Sequence, residues 1–195
     1  MIFQENHPYH IYNQANGNLK LFKDNHDYQM FLEKLRKWVY PSCDILAYCL
    51  MPNHFHILVH ANEQSGKPRK LGSLTSNELS NGVRLLQSQY SHYFNKKYES
   101  RGSIFRSRPK AKALDNGSTE YALTCFLYIL QNPVRARLCK DPFGWQYSTA
   151  NPINRREEDS LVNWGVLKSY IDLDWGNFEN EVKGLIDFER ETWTL

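Results

Sequence analysis

The chain has 195 residues, with 24 Lys or Arg against 21 Asp or Glu and a formal net charge of +3. That length suits one domain with a real core, and so mild a charge says little on average, so the distribution of basic residues carries the information. Cys43, Cys49, Cys125 and Cys139 show no C-x-x-C spacing, which argues against a zinc ribbon or a disulfide framework and fits a reducing cytoplasm; no apolar run approaches the roughly 20 residues that span a bilayer, and Met1 to His10 lacks an apolar signal core.

In chain order, Tyr9 to Gln14 reads as a short strand closed by Asn16-Gly17-Asn18. Asp24 or Asn25 can cap a helix reaching about Trp38, with Tyr28, Phe31, Leu32, Leu35 and Val39 as its apolar stripe. Asp44 to Leu50 and His54 to His60 are the strands of a hairpin turned at Pro52-Asn53. A polar loop is expected over Asn62 to Ser73, where Lys67, Arg69 and Lys70 could form a clamp. A second helix follows from Thr75 or Ser76 to about Lys97, carrying Leu79, Val83, Leu86, Tyr90 and Tyr93. Ile104 to Leu114 reads as a strand that Pro109 assigns to an edge or a bulge. A third helix should start near Ser118 and stop around Gln131, because Pro133 cannot donate a hydrogen bond and disfavours helical geometry at Asn132.

Two β-α-β units joined through a hairpin predict an α+β fold, a ferredoxin-like sandwich: a four-stranded antiparallel sheet with helices on one face and the other face open to substrate. Residues 1–138 form the expected core. Residues 139–195 form an expected helical extension packing on it, with Trp164, Val166, Leu167 and Tyr170, then Phe178, Val182, Leu185 and Phe188, as two short amphipathic stretches.

Three constellations could carry chemistry. In Met51-Pro-Asn-His-Phe-His-Ile-Leu-Val59, strand alternation puts His54 and His56 on one face and Phe55, Ile57 and Val59 on the other, so the two imidazoles could share a divalent metal. His10 and His60 are read as ordinary strand residues instead. On the third helix, Tyr121, Cys125, Tyr128 and Asn132 follow one line, and a metal ligand at Asn132 would bring the Tyr128 hydroxyl within reach of anything bound to that metal; the plainer alternative is a core tyrosine and a helix-end asparagine. The third is the basic stretch Lys96, Lys97, Arg101, Arg106, Arg108, Lys110 and Lys112, interleaved with Tyr93, Phe94, Tyr98 and Phe105. That mixture suits single-stranded nucleic acid, whose phosphates need cations and whose unstacked bases need flat partners.

Four blocks in this order, Met51 to Val59, Gly102-x-Ile-Phe-Arg-x-Arg108, Tyr128-Ile-Leu-Gln-Asn-Pro-Val-Arg-Ala136 and Trp145-x-x-Ser148, resemble the single-tyrosine HUH transposases. The chain is most similar to the REP-associated tyrosine transposases and the related insertion-sequence-200-like proteins, over roughly residues 8 to 150. Arg106-Ser107-Arg108-Pro109 departs from the family's glycine-containing version, and the tail after about Asn151 matches no family pattern. The resemblance implies a ferredoxin-like core and hairpin-forming single-stranded DNA as partner. It also implies cleavage and rejoining through a 5′-phosphotyrosine with a divalent metal, Mg²⁺ or Mn²⁺. Carried onto this chain, it makes Tyr128 the nucleophile, His54 and His56 metal ligands and Asn132 the third ligand. Relatives include monomers and homodimers. The alternatives are a catalytically silent DNA-binding protein derived from a transposase and a small-substrate hydrolase using the histidine pair for zinc; the latter would leave the basic stretch without a purpose.

Overall fold

A computed structural model describes residues 2–72, 74–114, 119–155 and 160–184. Its centre is a four-stranded sheet in the order β2-β3-β1-β6, formed by β1 (Pro8–Gln14), β2 (Asp44–Met51), β3 (His54–His60) and β6 (Lys110–Ala113). The three pairings between neighbouring strands are all antiparallel, which is the ferredoxin-like arrangement.

Helices α1 (Asn25–Trp38) and α3 (Glu78–Lys97) pack against each other on one face. Asp24 caps α1 and forms a reciprocal capping box with Asp27, satisfying backbone donors that the first turn leaves open. Phe31 of α1 meets Phe55 of β3 at 5.0 Å between ring centres and Tyr90 of α3 at 5.1 Å, so the odd-numbered face of β3 is the core face. Gly82 of α3 abuts the end of α1: a β-carbon there would press into the Trp38 carbonyl oxygen.

The face expected to be open to substrate is instead partly covered, by helix α4 (Thr119–Arg135) lying against β2 and β3. The expected stop near Gln131 is corrected: Pro133 lies inside the helix. A proline this close to the end costs only one intrahelical bond, and a Schellman closure holds the last turn. Leu138 N–H donates to the Pro133 carbonyl and Arg137 N–H to that of Val134, both at 2.9 Å, with Arg137 in the left-handed region at φ +58. Asn132 is therefore a helical residue whose carbonyl accepts from Ala136 N–H, not a helix end.

Two other expectations change. The loop expected over Asn62 to Ser73 instead folds into α2 (Glu63–Gly66) and β4 (Pro68–Leu71), which pairs with β5 (Leu74–Asn77) before Asn77 caps α3. Lys67 and Arg69 pair with Glu63 and Glu78, so local ion pairs occupy two of the three cations read as a clamp. The strand expected over Ile104 to Leu114 shrinks to β6, the edge strand, while Phe105 makes only an isolated bridge to Ala15.

After Cys139 the chain returns along β2, shielding an edge that would otherwise present unpaired backbone groups. Leu50 N–H donates to the Tyr147 carbonyl, Thr149 N–H to that of Tyr48, and the Trp145 indole N–H to that of Leu50. The expected short helices appear as α5 (Trp164–Tyr170) and α6 (Phe178–Lys183); Leu185 and Phe188 lie outside the described residues. Phe178 and Trp175 meet Phe126 on the back of α4, and the Gln131 amide donates to the carbonyls of Val182 and Gly184. Helix α4 is thus held between the sheet and the tail. No helix among the described residues is long and apolar enough to cross a membrane.

Candidate active site

On the α4 side of the sheet, His54 and His56 stand two residues apart on β3, their ring centres 5.0 Å apart and nearly perpendicular. Asn53 Oδ1 lies 2.8 Å from His54 Nδ1, so Nδ1 carries the proton and Nε2 the lone pair. Burial pushes His54 down to about 4, against a smaller upward pull from Asn132, and lowers His56 well below its ordinary value. Both rings are neutral at pH 7, the form in which imidazole binds a metal.

The structure adds a third ring. His10, read above as an ordinary strand residue, is buried beside the pair, with Nε2 2.9 Å from His56 Nδ1. Burial, assisted by the Lys112 charge, pushes His10 down to about 3. Two neutral imidazoles share one proton in such a contact. If His56 Nδ1–H donates, His56 Nε2 is left with a lone pair; if His10 donates, Nε2 carries a proton with no acceptor. That Nε2 atom is buried without a hydrogen-bond partner, as is the Asn132 amide nitrogen. Period-two alternation along β1 could not reveal this role, because its face is set only by the pairing of His10 with Leu58 and of Tyr12 with His56.

Helix α4 brings the other half. Tyr128 lies edge-on to His56 at 5.5 Å and to His10 at 6.3 Å between ring centres. Burial raises the Tyr128 phenol above its ordinary value; Asn132, one turn on, pulls it down. Asn132 is buried close to both His54 and Tyr128 and biases the ionisation of each, between the strand and the helix. The other tyrosines of α3 and its end are engaged elsewhere: Tyr90 donates to the Leu21 carbonyl, and Tyr93 and Tyr98 to Asp27. Tyr121 lies under the Lys112 ammonium, 5.0 Å from its ring centre.

A divalent ion fits this donor set. Among the described residues no cluster of three His, Cys, Asp or Glu could hold a metal; His54, His56 and the buried Asn132 amide are the residues that could hold one here. Each histidine has its Nδ1 engaged by a neighbour, Asn53 or His10, the outer support that metal-bound imidazoles characteristically have.

No family model matches the chain, and no curated protein matches it. Among solved structures, a REP-associated tyrosine transposase bound to a REP hairpin is similar, with a TM-score of 0.58, 18% identity, and coverage of 90% of this chain and 88% of that one. The chain has the REP-associated tyrosine transposase fold. A bacterial tRNA(His) guanylyltransferase-like protein in complex with GTP matches with a TM-score of 0.46 and 12% identity, covering 71% of this chain and 67% of that chain.

Within this fold the basic stretch separates into groups. Lys110 and Lys112 on β6 stand opposite Tyr12 and His10, which places both on the histidine side of the sheet. Arg106 lines a groove with Tyr12 and Lys110, and Arg101, Arg108 and Lys96 are exposed. Lys97 is different: its ammonium lies 2.7 Å from both Asp24 and the fully buried Asp27. It is committed to tying α3 to α1. None of the four cysteines forms a disulfide.

Proposed function

We propose that the chain cleaves and rejoins hairpin-forming single-stranded DNA through a 5′-phosphotyrosine on Tyr128, with Mg²⁺ or Mn²⁺ held by His54, His56 and Asn132. The observation that carries this reading is the edge-on approach of Tyr128 to His56 within one chain, with Asn132 spanning to His54. When bound, the ion supplies charge neutralisation and polarisation of a phosphodiester that otherwise repels nucleophiles.

The Tyr128 oxygen forms the new bond to phosphorus as the bond to the 3′-oxygen breaks. The phenolic proton leaves, and the departing 3′-oxygen takes up a proton. Burial keeps the phenol protonated at rest, so the proton is lost in the step itself. Rejoining is the reverse: a 3′-hydroxyl attacks the phosphotyrosine and the phenol is released. The number of phosphoester bonds is conserved, so no ATP is required.

Lys110, Lys112, Arg106, Arg108, Arg101 and Lys96 are the phosphate contacts in this reading. They contribute affinity and register, not sequence choice. The transposase with the same fold was bound to a REP hairpin, the substrate class proposed here. Nucleophile and imidazoles meet in one chain, so a monomer can act alone, and cysteines that form no disulfide suit the cytoplasm.

Incubation with hairpin DNA from the gene's own flanks, analysed on a denaturing gel, tests the proposal. Wild type with Mg²⁺ should give a covalent adduct that chelator and Tyr128→Phe both remove. An adduct that persists in Tyr128→Phe would overturn the assignment. Hairpin retention without an adduct would identify the silent DNA-binding protein instead.

A further inference from the structure

The face of β1 that carries His10 carries two further side chains that the cleavage step does not use. The strand register sets Tyr12 opposite His56 on one side and Lys110 on the other, and Gln14 opposite His54. Directly opposed residues of an antiparallel pair share a face, so His56, Tyr12 and Lys110 form a row across three strands, and His54 and Gln14 form the next.

At the end of β1 the chain around Arg106 folds over the platform. Arg106 N–H donates to the Gln14 carbonyl at 3.0 Å, and the Asn13 amide donates to the Ser107 carbonyl at 2.9 Å. The Asn13 Oδ1 accepts from Gln14 N–H at 2.9 Å, so one buried asparagine ties the wall to the platform. Between them lies a groove of about 400 Å³ lined by Tyr12, Asn13, Gln14, Arg106, Ser107 and Lys110. That volume lies in the range of small-ligand sites, about 300–1,000 Å³.

The lining selects its occupant. It combines an aromatic ring, an amide that both donates and accepts, and two cations, with no carboxylate among the lining residues. His10 stacks on the Tyr12 ring at 4.8 Å, fixing its plane, and the Lys110 ammonium stands 5.7 Å from its centre. Lys110 is exposed, so its head can reach a phosphate while its stem stays along the ring. A flat base needs the ring, its polar edge the amide, and its phosphate the cations. A base stacked within a duplex stem has no face to offer Tyr12.

We infer that this groove holds an unpaired base beside the scissile phosphate of single-stranded DNA, stacked on Tyr12, met at its edge by Gln14 and at its phosphate by Arg106 and Lys110. The inference rests on the cleavage reading above and adds the subsite that positions and selects the flanking nucleotide. Tyr12 lies one strand spacing, about 5 Å, from the histidine strand, which is close enough for adjacent nucleotides.

The test uses the full chain carrying Tyr128→Phe, which binds without cleaving, and hairpins with a single-stranded extension. The fluorescent base 2-aminopurine is placed at each unpaired position in turn. One position should be quenched on binding. Tyr12→Ala should remove that quench and weaken binding about tenfold, whereas Tyr12→Phe should keep both. Gln14→Leu should keep the quench, hold affinity within about threefold and flatten base preference at that position. A quench that survives Tyr12→Ala, or the absence of any Tyr12-dependent position, overturns the inference. If wild type still forms the Tyr128 adduct, that result sinks the groove alone; a wild-type chain that retains no hairpin sinks both readings.

Discussion

In the proposed reading His10 orients His56, and a residue that orients a ligand is measured by what the ligand then binds. Replacing it with Phe removes the ring nitrogen 2.9 Å from His56 Nδ1 and leaves that atom facing hydrocarbon. Titration calorimetry with Mn²⁺ on the DNA-free protein should show affinity about 10- to 100-fold lower in His10→Phe, and mostly recovered in His10→Gln, whose amide oxygen can accept the same proton. Equal affinities in all three proteins would remove His10 from the site. Asp27 is the other residue whose surroundings make a quantitative demand. Burial alone would raise it, but Lys97, the Lys23 backbone N–H, Tyr98 and Tyr93 outweigh burial and hold it below its ordinary 3.8. A depressed carboxyl contributes stability that is present in full above 3.8 and lost as pH falls through the lower folded-state value. Lys97→Met should cost about 2 kcal/mol at pH 7, because Asp27 keeps its phenol and backbone bonds but loses its counter-charge. Urea titrations of both proteins should converge as pH falls below 3.8 and through the lower folded-state value of Asp27. A gap that stayed constant with pH would contradict the pairing.

Helix α3 meets the end of α1 at Gly82, within the helical layer on which the sheet rests. Glycine is normally a liability inside a helix, about 1 kcal/mol against alanine. Here the Trp38 carbonyl occupies the space a β-carbon would take. Gly82→Ala should therefore destabilise by about 1–3 kcal/mol in denaturant unfolding, where an uncrowded helix position would gain. Stabilisation would show that the helices can part at no cost. The elements that positioned the site were legible: the Asp24 cap, the hairpin at Pro52-Asn53, and the alternation that set His54 and His56 against Phe55. Three features were not. The β4–β5 hairpin is built of polar, charged residues with no alternation of apolar positions, and ion pairs to Glu63 and Glu78 support it. Pro133 carries a helix-ending signal that a Schellman closure, donated from four and five residues later, overrides. The partnership of His10 with His56 depends on strand register, a long-range property that neither strand encodes alone.

At the scale of the molecule, two layers cover the sheet: α1 and α3 on one face, α4 on the other with the tail packed behind it. This brings Tyr128 to the histidines of its own chain and lays Lys110 and Lys112 beside them, while Lys97 faces Asp24 and Asp27. Seven cations close in sequence therefore divide by destination, which spacing alone does not disclose. Hairpin affinity measured against salt should separate them: replacing Lys110 and Lys112 with Met should reduce the slope of log K against log salt by about 1.4–1.8, since each neutralised phosphate contributes about 0.7–0.9. Lys97→Met should leave it unchanged. A loss of slope in Lys97→Met equal to that of one β6 lysine would place the DNA on the wrong face. The central claim is that one phenol and the imidazoles of β3 converge on one phosphate. Its most direct measurement is mass-spectrometric mapping of the peptide that carries DNA after incubation with the hairpin and Mg²⁺. The account predicts a nucleotide linked through its 5′-phosphate to Tyr128; linkage to Tyr121 or any other tyrosine would contradict it.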